Sequence, residues 1–166
     1  KNEALLPINT RKFKKILVTG PNANNQSIMG DWVFEQPEKN VSTILEGIKE
    51  EASGTQINYV DVGWNLRALD SAKIEEAVQT AKSSDLAIVI VGEDSFRQHW
   101  KEKTCGENRD RMDITLWGKQ DYLVESIYKT GVPTIVILVN GRPLATGWIA
   151  ENIPAIIEAW EPGSMG

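Results

Sequence analysis

DLAIVIVG, residues 85–92, contains no polar residue between Asp85 and Gly92. A strand with one face in water alternates apolar and polar residues. A strand in a parallel sheet that helices cover on both faces reads instead as a continuous apolar run. This stretch therefore predicts a central strand that is buried on both of its faces.

Other segments with strand or helix character lie on both sides of this run. Strands are predicted at residues 14–20, 56–62, 134–141 and 154–160. Helices are predicted around residues 41–48, at 70–83 with Asp70 as N-cap, at 118–130, and within 141–151. Strands that alternate with helices imply βαβ crossovers and parallel pairing. The sequence thus predicts one domain, residues 1–166, built as a three-layer α/β/α sandwich with a mostly parallel sheet and a flavodoxin-like architecture.

Both ends of the chain lack the features that usually close a domain. KNEALLP has no helix cap, and EPGSMG stops in a Gly-rich turn directly after a predicted strand. We therefore expect a segment of a larger protein, truncated before the last helix and strand of its sandwich.

Composition argues against several kinds of partner. The net charge is −5, which disfavours nucleic acid and anionic membranes. The apolar run at residues 134–139 is strand-sized and far too short to span a bilayer. A single Cys excludes an internal disulfide, and a single His excludes the usual zinc-ligand clusters.

One edge of the predicted sheet is expected to carry the function, because ligands bind at the carboxyl ends of parallel strands. The segments that follow the strands there are rich in Gly, Pro, Asn and charge: GPNANNQSIMGDW, GEDSF with CGENRDR, NGRPL and EPGSMG.

TGPNAN lacks the GKS or GKT ending of a phosphate loop and does not match GxGxxG. A strand-to-helix turn is therefore favoured over a nucleotide site.

EDSFRQHWKEKTCGENRDRMD, residues 93–113, is far longer than the usual connection of about 2–6 residues. Two ordinary kinds of site are disfavoured in it. Its carboxylates do not follow the spacing of a calcium loop, and basic residues are interleaved with them. A nucleophilic pair of His99 and Cys105 would need hydrogen-bond contact, which proximity in sequence does not establish. The carboxylates are Glu93, Asp94, Glu102, Glu107, Asp110 and Asp113.

CGENRDR, at the centre of this connection, places Glu107 just before an Arg-Asp-Arg run. An Arg–Asp pair that braces the loop is the default interpretation of such a run. A catalytic glutamate held rigidly by these pairs is the alternative, and the residues by themselves leave both open.

A resemblance to a known family covers essentially the whole chain. It follows chain order through KNEALLPI, KKILVTGPNAN, SDLAIVIVGED, CGENRDRMDITLWGKQ, GVPTIVILVNGRPL and IPAIIEAWEPGSMG. NGRPL alone would be a weak indication, whereas all of these segments in register are specific. Together they resemble the carboxyl-terminal α/β sandwich domain of glycoside hydrolase family 3, the β-glucosidases and related exo-acting enzymes.

The resemblance implies half of a two-carboxylate active site, in a retaining β-glycosidase that acts on the non-reducing ends of β-glucosides or β-linked oligosaccharides. In that family an amino-terminal (β/α)8 barrel carries an aspartate nucleophile, and a glutamate on the sandwich domain's long loop is the general acid/base. Glu107 matches the acid/base position, and Glu93 in the GED segment is the second choice. Because the barrel is not in this chain, the isolated chain is expected to be inactive, with the barrel as its partner.

The resemblance also implies roles for aromatic and charged side chains. Trp32 in MGDW, and Trp100 as a second candidate, are expected to form walls that sugar rings stack on. The alternative for Trp32 is packing under its own loop. Bracing of the loop and the strand-end turns is expected from Arg109, Asp110, Arg111 and Arg142. No cofactor or metal is implied, and a secreted or periplasmic location is suspected from the family.

A non-catalytic carbohydrate-binding or interaction module is the alternative function for such a domain. It differs from the enzyme hypothesis in one measurable property, because a self-sufficient module should bind sugar by itself. Half of a pocket shared between two domains should bind sugar only very weakly.

Overall fold

The computed structural model describes residues 1–166, and in it five strands alternate with four helices. In chain order the elements are β1 (Lys15–Thr19), α1 (Ile44–Glu51), β2 (Gln56–Val60), α2 (Ser71–Ala81), β3 (Leu86–Gly92), α3 (Gln120–Tyr128), β4 (Thr134–Val139), α4 (Gly147–Asn152) and β5 (Ala155–Glu158). Each predicted strand and helix is present. None of the helices has the length and apolar character needed to cross a bilayer.

The strands form one sheet in the order β2-β1-β3-β4-β5, and every neighbouring pair is parallel. This is the order of a flavodoxin-like doubly wound fold, so the predicted fold class is confirmed. All residues of β3 are buried, as its continuous apolar sequence predicts.

Two hydrophobic cores cover the two faces of the sheet, and β3 contributes alternate residues to each. Ala87, Val89 and Val91 pack in the core under α2, α3 and α4, whereas Ile88 and Ile90 pack in the core under α1. Successive side chains of a strand point to opposite faces, so both sets must be apolar when both faces are covered. This explains why the strand's sequence shows no alternation.

Side-chain hydrogen bonds explain where α1 and α2 begin. Asp70 caps α2 by accepting from the backbone N–H groups of Ala72 and Lys73, as the sequence predicts. The predicted first helix included Val41, but α1 starts at Ile44 because Thr43 and Glu46 form a capping box in front of it.

The sheet order places its switch point between β1 and β3. From β1 the chain crosses to β2 on one side, and from β3 it crosses to β4 on the other. The connections after β1 and β3 therefore diverge and leave a crevice between them, which is where ligands bind in open α/β sheets. MGDW lies in the first connection and CGENRDR in the second.

Candidate active site

Glu107 lies at the tip of the long connection after β3. A tight turn presents it, because Gly106 on one side has a φ of +86° and Asn108 on the other a φ of +58°. Asn is among the few non-glycine residues that adopt this left-handed backbone readily. The Glu107 side chain is 40% exposed, so its carboxylate is accessible to solvent.

Two contacts hold Glu107. Its backbone N–H donates to Oδ2 of Asp31, which lies in the loop after β1, at 2.6 Å. Its Oε2 accepts from Nη1 of Arg97 at 3.1 Å. The residue is therefore fixed at its backbone by one loop and at its carboxylate by a guanidinium of its own loop.

Asp31 also forms an ion pair inside the protein. Both of its carboxylate oxygens lie 3.0 Å from Nζ of Lys103, whose side chain is completely buried. Burial opposes ionisation of Asp31, but the Glu107 N–H and the Lys103 ammonium outweigh it and hold the pKa of Asp31 below its usual value. Asp31 is therefore a carboxylate at neutral pH.

Two tryptophans flank this ion-pair cluster. Trp32 is 72% exposed and Trp100 is 41% exposed, so neither is packed under its own loop. The guanidinium of Arg97 lies 4.0 Å from the ring centre of Trp32 and 5.3 Å from that of Trp100. A cation over an indole face is an attractive contact that orients both partners. Arg97, which is half-buried, thus links the exposed side chains of Trp32 and Glu107.

Glu93 occupies a different environment from Glu107. Its side chain is fully buried, Oε1 lies 3.3 Å from Nη1 of Arg111, and Oε2 lies 3.2 Å from Nε of Arg142 without hydrogen-bond alignment. Burial raises the pKa of Glu93 above its usual value, and the two guanidinium groups offset part of this effect. A substrate cannot reach this carboxylate, whose contacts are those of a brace.

The arginines of CGENRDR brace the loop, but not through Asp110. Arg109 donates to the backbone carbonyls of Lys103 at 3.1 Å and Asn108 at 3.0 Å, and also to that of Trp100. The planar, five-donor guanidinium suits such a set of carbonyls. The Arg–Asp pair in this part of the loop joins Arg111 to Asp113, with 4.0 Å between Nη2 and Oδ1, and Asp110 is exposed with no ion-pair or hydrogen-bond partner.

Arg111 and Arg142 connect the same loop to the ends of two strands. Arg142 follows β4 and donates through Nη2 to the carbonyl of Arg109 at 2.7 Å. Arg111 donates to the carbonyl of Thr115 at 2.6 Å in addition to its contact with Glu93. The buried carboxylate of Glu93 thus ties the long loop to β3 and to the turn after β4.

The unique His and Cys do not form a pair. His99 contacts Asp94, with 2.6 Å between Nδ1 and Oδ2, and stacks on Trp64. Burial and the nearby Glu93 raise the pKa of the Cys105 thiol to about 12, so it is not a thiolate near neutral pH.

No group of three or more His, Cys, Asp or Glu side chains is arranged to hold a metal ion.

Three residues of this site were not singled out by the sequence: Asp31, Arg97 and Lys103. Asp31 and Lys103 are 72 residues apart, and the lysine lies in a run of charged residues that reads as a solvated surface. Gly106, directly before Glu107, is the one local signal, because glycine favours the left-handed turn found there.

The fold and the site together define a class of protein: a flavodoxin-like α/β domain that presents a glutamate and aromatic faces beside its switch point. Within this class, the chain belongs to the glycosyl hydrolase family 3 C-terminal domain family, which it matches over residues 1–166. The resemblance found in the sequence is confirmed.

Relatives of known activity are glycosidases. A β-xylosidase of Formosa agariphila is 38% identical over 96% of this chain and 22% of its own length. A β-glucosidase of Bacteroides ovatus is 30% identical over the whole chain and 23% of its own length. The structure of a Listeria innocua β-glucosidase in complex with isofagomine superposes with a TM-score of 0.83 and 25% identity, over 99% of this chain and 21% of that one. This chain therefore spans about a fifth of the length of these relatives.

Proposed function

We propose that this chain is the sandwich domain of a larger retaining β-glycosidase and that Glu107 is its general acid/base. The observation that carries the proposal is the placement of Glu107. It is an accessible carboxylate on a braced turn in the connection that follows β3, and its partner Arg97 lies over the exposed Trp32 ring. Membership of glycosyl hydrolase family 3 supports the reaction class.

Retaining hydrolysis requires two carboxylates about 5–5.5 Å apart. One attacks the anomeric carbon, and the other protonates the departing glycosidic oxygen and then takes a proton from the water that releases the sugar. Glu107 would supply the second function. The nucleophile would come from an aspartate on the (β/α)8 barrel, which docks against the crevice edge of this domain. Since Glu107 must hold a proton when the bond breaks, its ion pair with Arg97 has to open in the productive complex.

Glu107 is preferred to Glu93 on geometric grounds. A general acid must come within hydrogen-bond reach of the leaving oxygen. The Glu93 carboxylate is fully buried between two arginines and would have to break both contacts to approach a sugar. Glu107 needs only a side-chain rotation away from Arg97, because its backbone is already fixed.

Trp32 would form a wall for the sugar on the leaving-group side of the cleaved bond. Trp32→Ala in the complete enzyme is expected to lower kcat/KM for cellobiose about 2- to 10-fold, the size of one aromatic stacking contact. The loss should be smaller on an aryl β-glucoside, which has no second sugar ring. Tyr122→Ala is a matched control, because Tyr122 is 60% exposed on α3. Equal losses in both variants would rule out a stacking wall at Trp32.

β-Glucosides are the substrates we propose first, and β-xylosides second. The β-glucosidase relatives support the first and the β-xylosidase at 38% identity supports the second. Activity on p-nitrophenyl β-D-glucoside and on the corresponding xyloside, measured in the complete enzyme, separates the two.

The purified 166-residue chain is expected to show no hydrolysis of either substrate, because it lacks the proposed nucleophile. The complete enzyme, assayed at the same molar concentration, is the control. The chain is also expected to bind glucose or cellobiose only very weakly in a calorimetric titration. Turnover by the chain alone would refute the two-domain site, and tight sugar binding without turnover by the complete enzyme would favour a binding module.

A further inference from the structure

Asp31 links the two loops that border the crevice. Its carboxylate accepts from the Glu107 N–H at 2.6 Å, lies 3.0 Å from Lys103 Nζ through both oxygens, and approaches Arg97 Nη1 at 3.5 Å. All three partners belong to the long loop after β3, whereas Asp31 belongs to the loop after β1. One side chain thus contacts three residues of the other loop, beside the contact between Arg97 and the Trp32 ring.

Lys103 fixes the position of this carboxylate. A completely buried ammonium is retained only when it is paired, since taking the charge out of water is costly. Lys103 has Asp31 as its salt-bridge partner and the ring of Trp100 at 4.5 Å. The pair therefore holds Asp31 against the turn that carries Glu107.

The turn is shaped around the Asp31 carboxylate. A Cβ atom added at Gly106 would lie 2.5 Å from Asp31 Oδ2, which is closer than nonbonded atoms approach. Gly106 also has a φ of +86°, a conformation that favours glycine. The close approach of backbone and carboxylate puts the Glu107 N–H within hydrogen-bond reach of Asp31.

We infer that Asp31, held by Lys103, is the positioning residue for Glu107, and that it fixes the separation between this proton donor and the sugar wall at Trp32. The inference rests on the proposed acid/base role of Glu107. Asp31 immediately precedes Trp32 in the chain, so the residue that holds the Glu107 backbone also anchors the tryptophan's loop. Asp31 itself does not touch the substrate.

If Asp31 positions Glu107, substituting Asp31 should lower the rate of the steps that need the acid. A misplacement of a reacting group by about 1 Å can cost about 100-fold in rate. Asp31→Asn in the complete enzyme should therefore lower kcat/KM for cellobiose about 10- to 100-fold. Hydrolysis of 2,4-dinitrophenyl β-glucoside, whose leaving group departs without protonation, should show less than about a threefold fall in the glycosylation rate. A merely structural role would lower both rates by the same factor.

A double-mutant cycle with Glu107→Ala separates this inference from the proposed function. If Asp31 acts through Glu107, the loss that Asp31→Asn causes on cellobiose should shrink once Glu107 is absent, to no more than the loss of about 2- to 10-fold expected from the Trp32 wall. An undiminished loss in that background would overturn the positioning role. If Glu107→Ala alone kept full activity, the proposed function itself would fail, whatever Asp31→Asn does.

Two further comparisons test whether an activity loss comes from misfolding. Asp31→Ala combined with Lys103→Met removes both charges, so no buried ammonium is left unpaired, and it should still show the selective loss on cellobiose. Gly106→Ala is compared with Gly131→Ala, since Gly131 has a similar φ of +82° but open space around it. Selective loss in Gly106→Ala, with normal activity in folded Gly131→Ala, supports the inference. The inference would be contradicted if the rates of Gly106→Ala and Gly131→Ala depended on the leaving group in the same way. It would also be contradicted if the Asp31→Ala/Lys103→Met enzyme lost equal activity on cellobiose and on 2,4-dinitrophenyl β-glucoside.

Discussion

Replacing Glu107 with alanine in the complete enzyme is expected to lower kcat/KM for cellobiose by about 10²- to 10⁴-fold, the usual contribution of a general acid. The glycosidic oxygen of a sugar is a poor leaving group and needs a proton as the bond breaks. A 2,4-dinitrophenolate leaves without one, so formation of the covalent intermediate from that substrate should be nearly unchanged. The measurement is a comparison of kcat/KM across leaving groups of increasing acidity.

Asp110→Ala is the matched control for this variant. Asp110 lies in the same loop, is exposed and has no partner, so its loss should leave the leaving-group profile as in the wild type. A Glu107→Ala enzyme with full activity on cellobiose, or with equal losses on all substrates, would contradict the acid/base role.

The second large effect is expected at Glu93. Glu93→Ala should destabilise the domain by about 3–5 kcal/mol, the usual cost of removing one partner from a buried ion pair. The substitution leaves Arg111, whose side chain is only 10% exposed, and Arg142 without their shared carboxylate. Urea unfolding of the purified chain measures the change in the free energy of unfolding.

This cost arises from the arginines left behind rather than from a large net gain in the intact pair. Burial raises the pKa of Glu93, which shows that desolvation of the carboxylate outweighs the attraction of Arg142 and Arg111. Glu50→Ala is the control, since Glu50 is exposed on α1 without a salt-bridge partner and should change stability by less than about 0.5 kcal/mol. Similar unfolding curves for the two variants would show that Glu93 does not brace the loop.

The fold could be predicted from the sequence because its signals are local. A continuous apolar run such as Leu86–Gly92 reports burial on both faces, and Asp70 reports the start of α2. The predicted ends of the strands and helices were less accurate where a single residue breaks the regular backbone conformation. The last strand was predicted to reach residue 160 but ends at Glu158, and Trp160 has a left-handed φ of +56°.

The candidate site could be predicted only in part. The position of Glu107 at the functional edge follows from strand order and from the family resemblance. The Asp31–Lys103 pair joins residues 72 apart and depends on how two loops fold over the sheet, which no local pattern encodes. Asp110, expected to brace the loop, has no arginine partner, because nearby carbonyls satisfy Arg109 and Arg111 contacts Glu93 and Asp113.

The central claim, that Glu107 is the acid/base of a retaining enzyme, is tested most directly by azide. In Glu107→Ala the covalent glycosyl-enzyme formed from 2,4-dinitrophenyl β-glucoside should accumulate, because no base activates water. Azide needs no base. It should attack the anomeric carbon, break the bond to the nucleophile's oxygen and restore turnover. The product expected by NMR is the β-glucosyl azide; an unchanged rate with azide, or an α-glucosyl azide, would contradict the assignment.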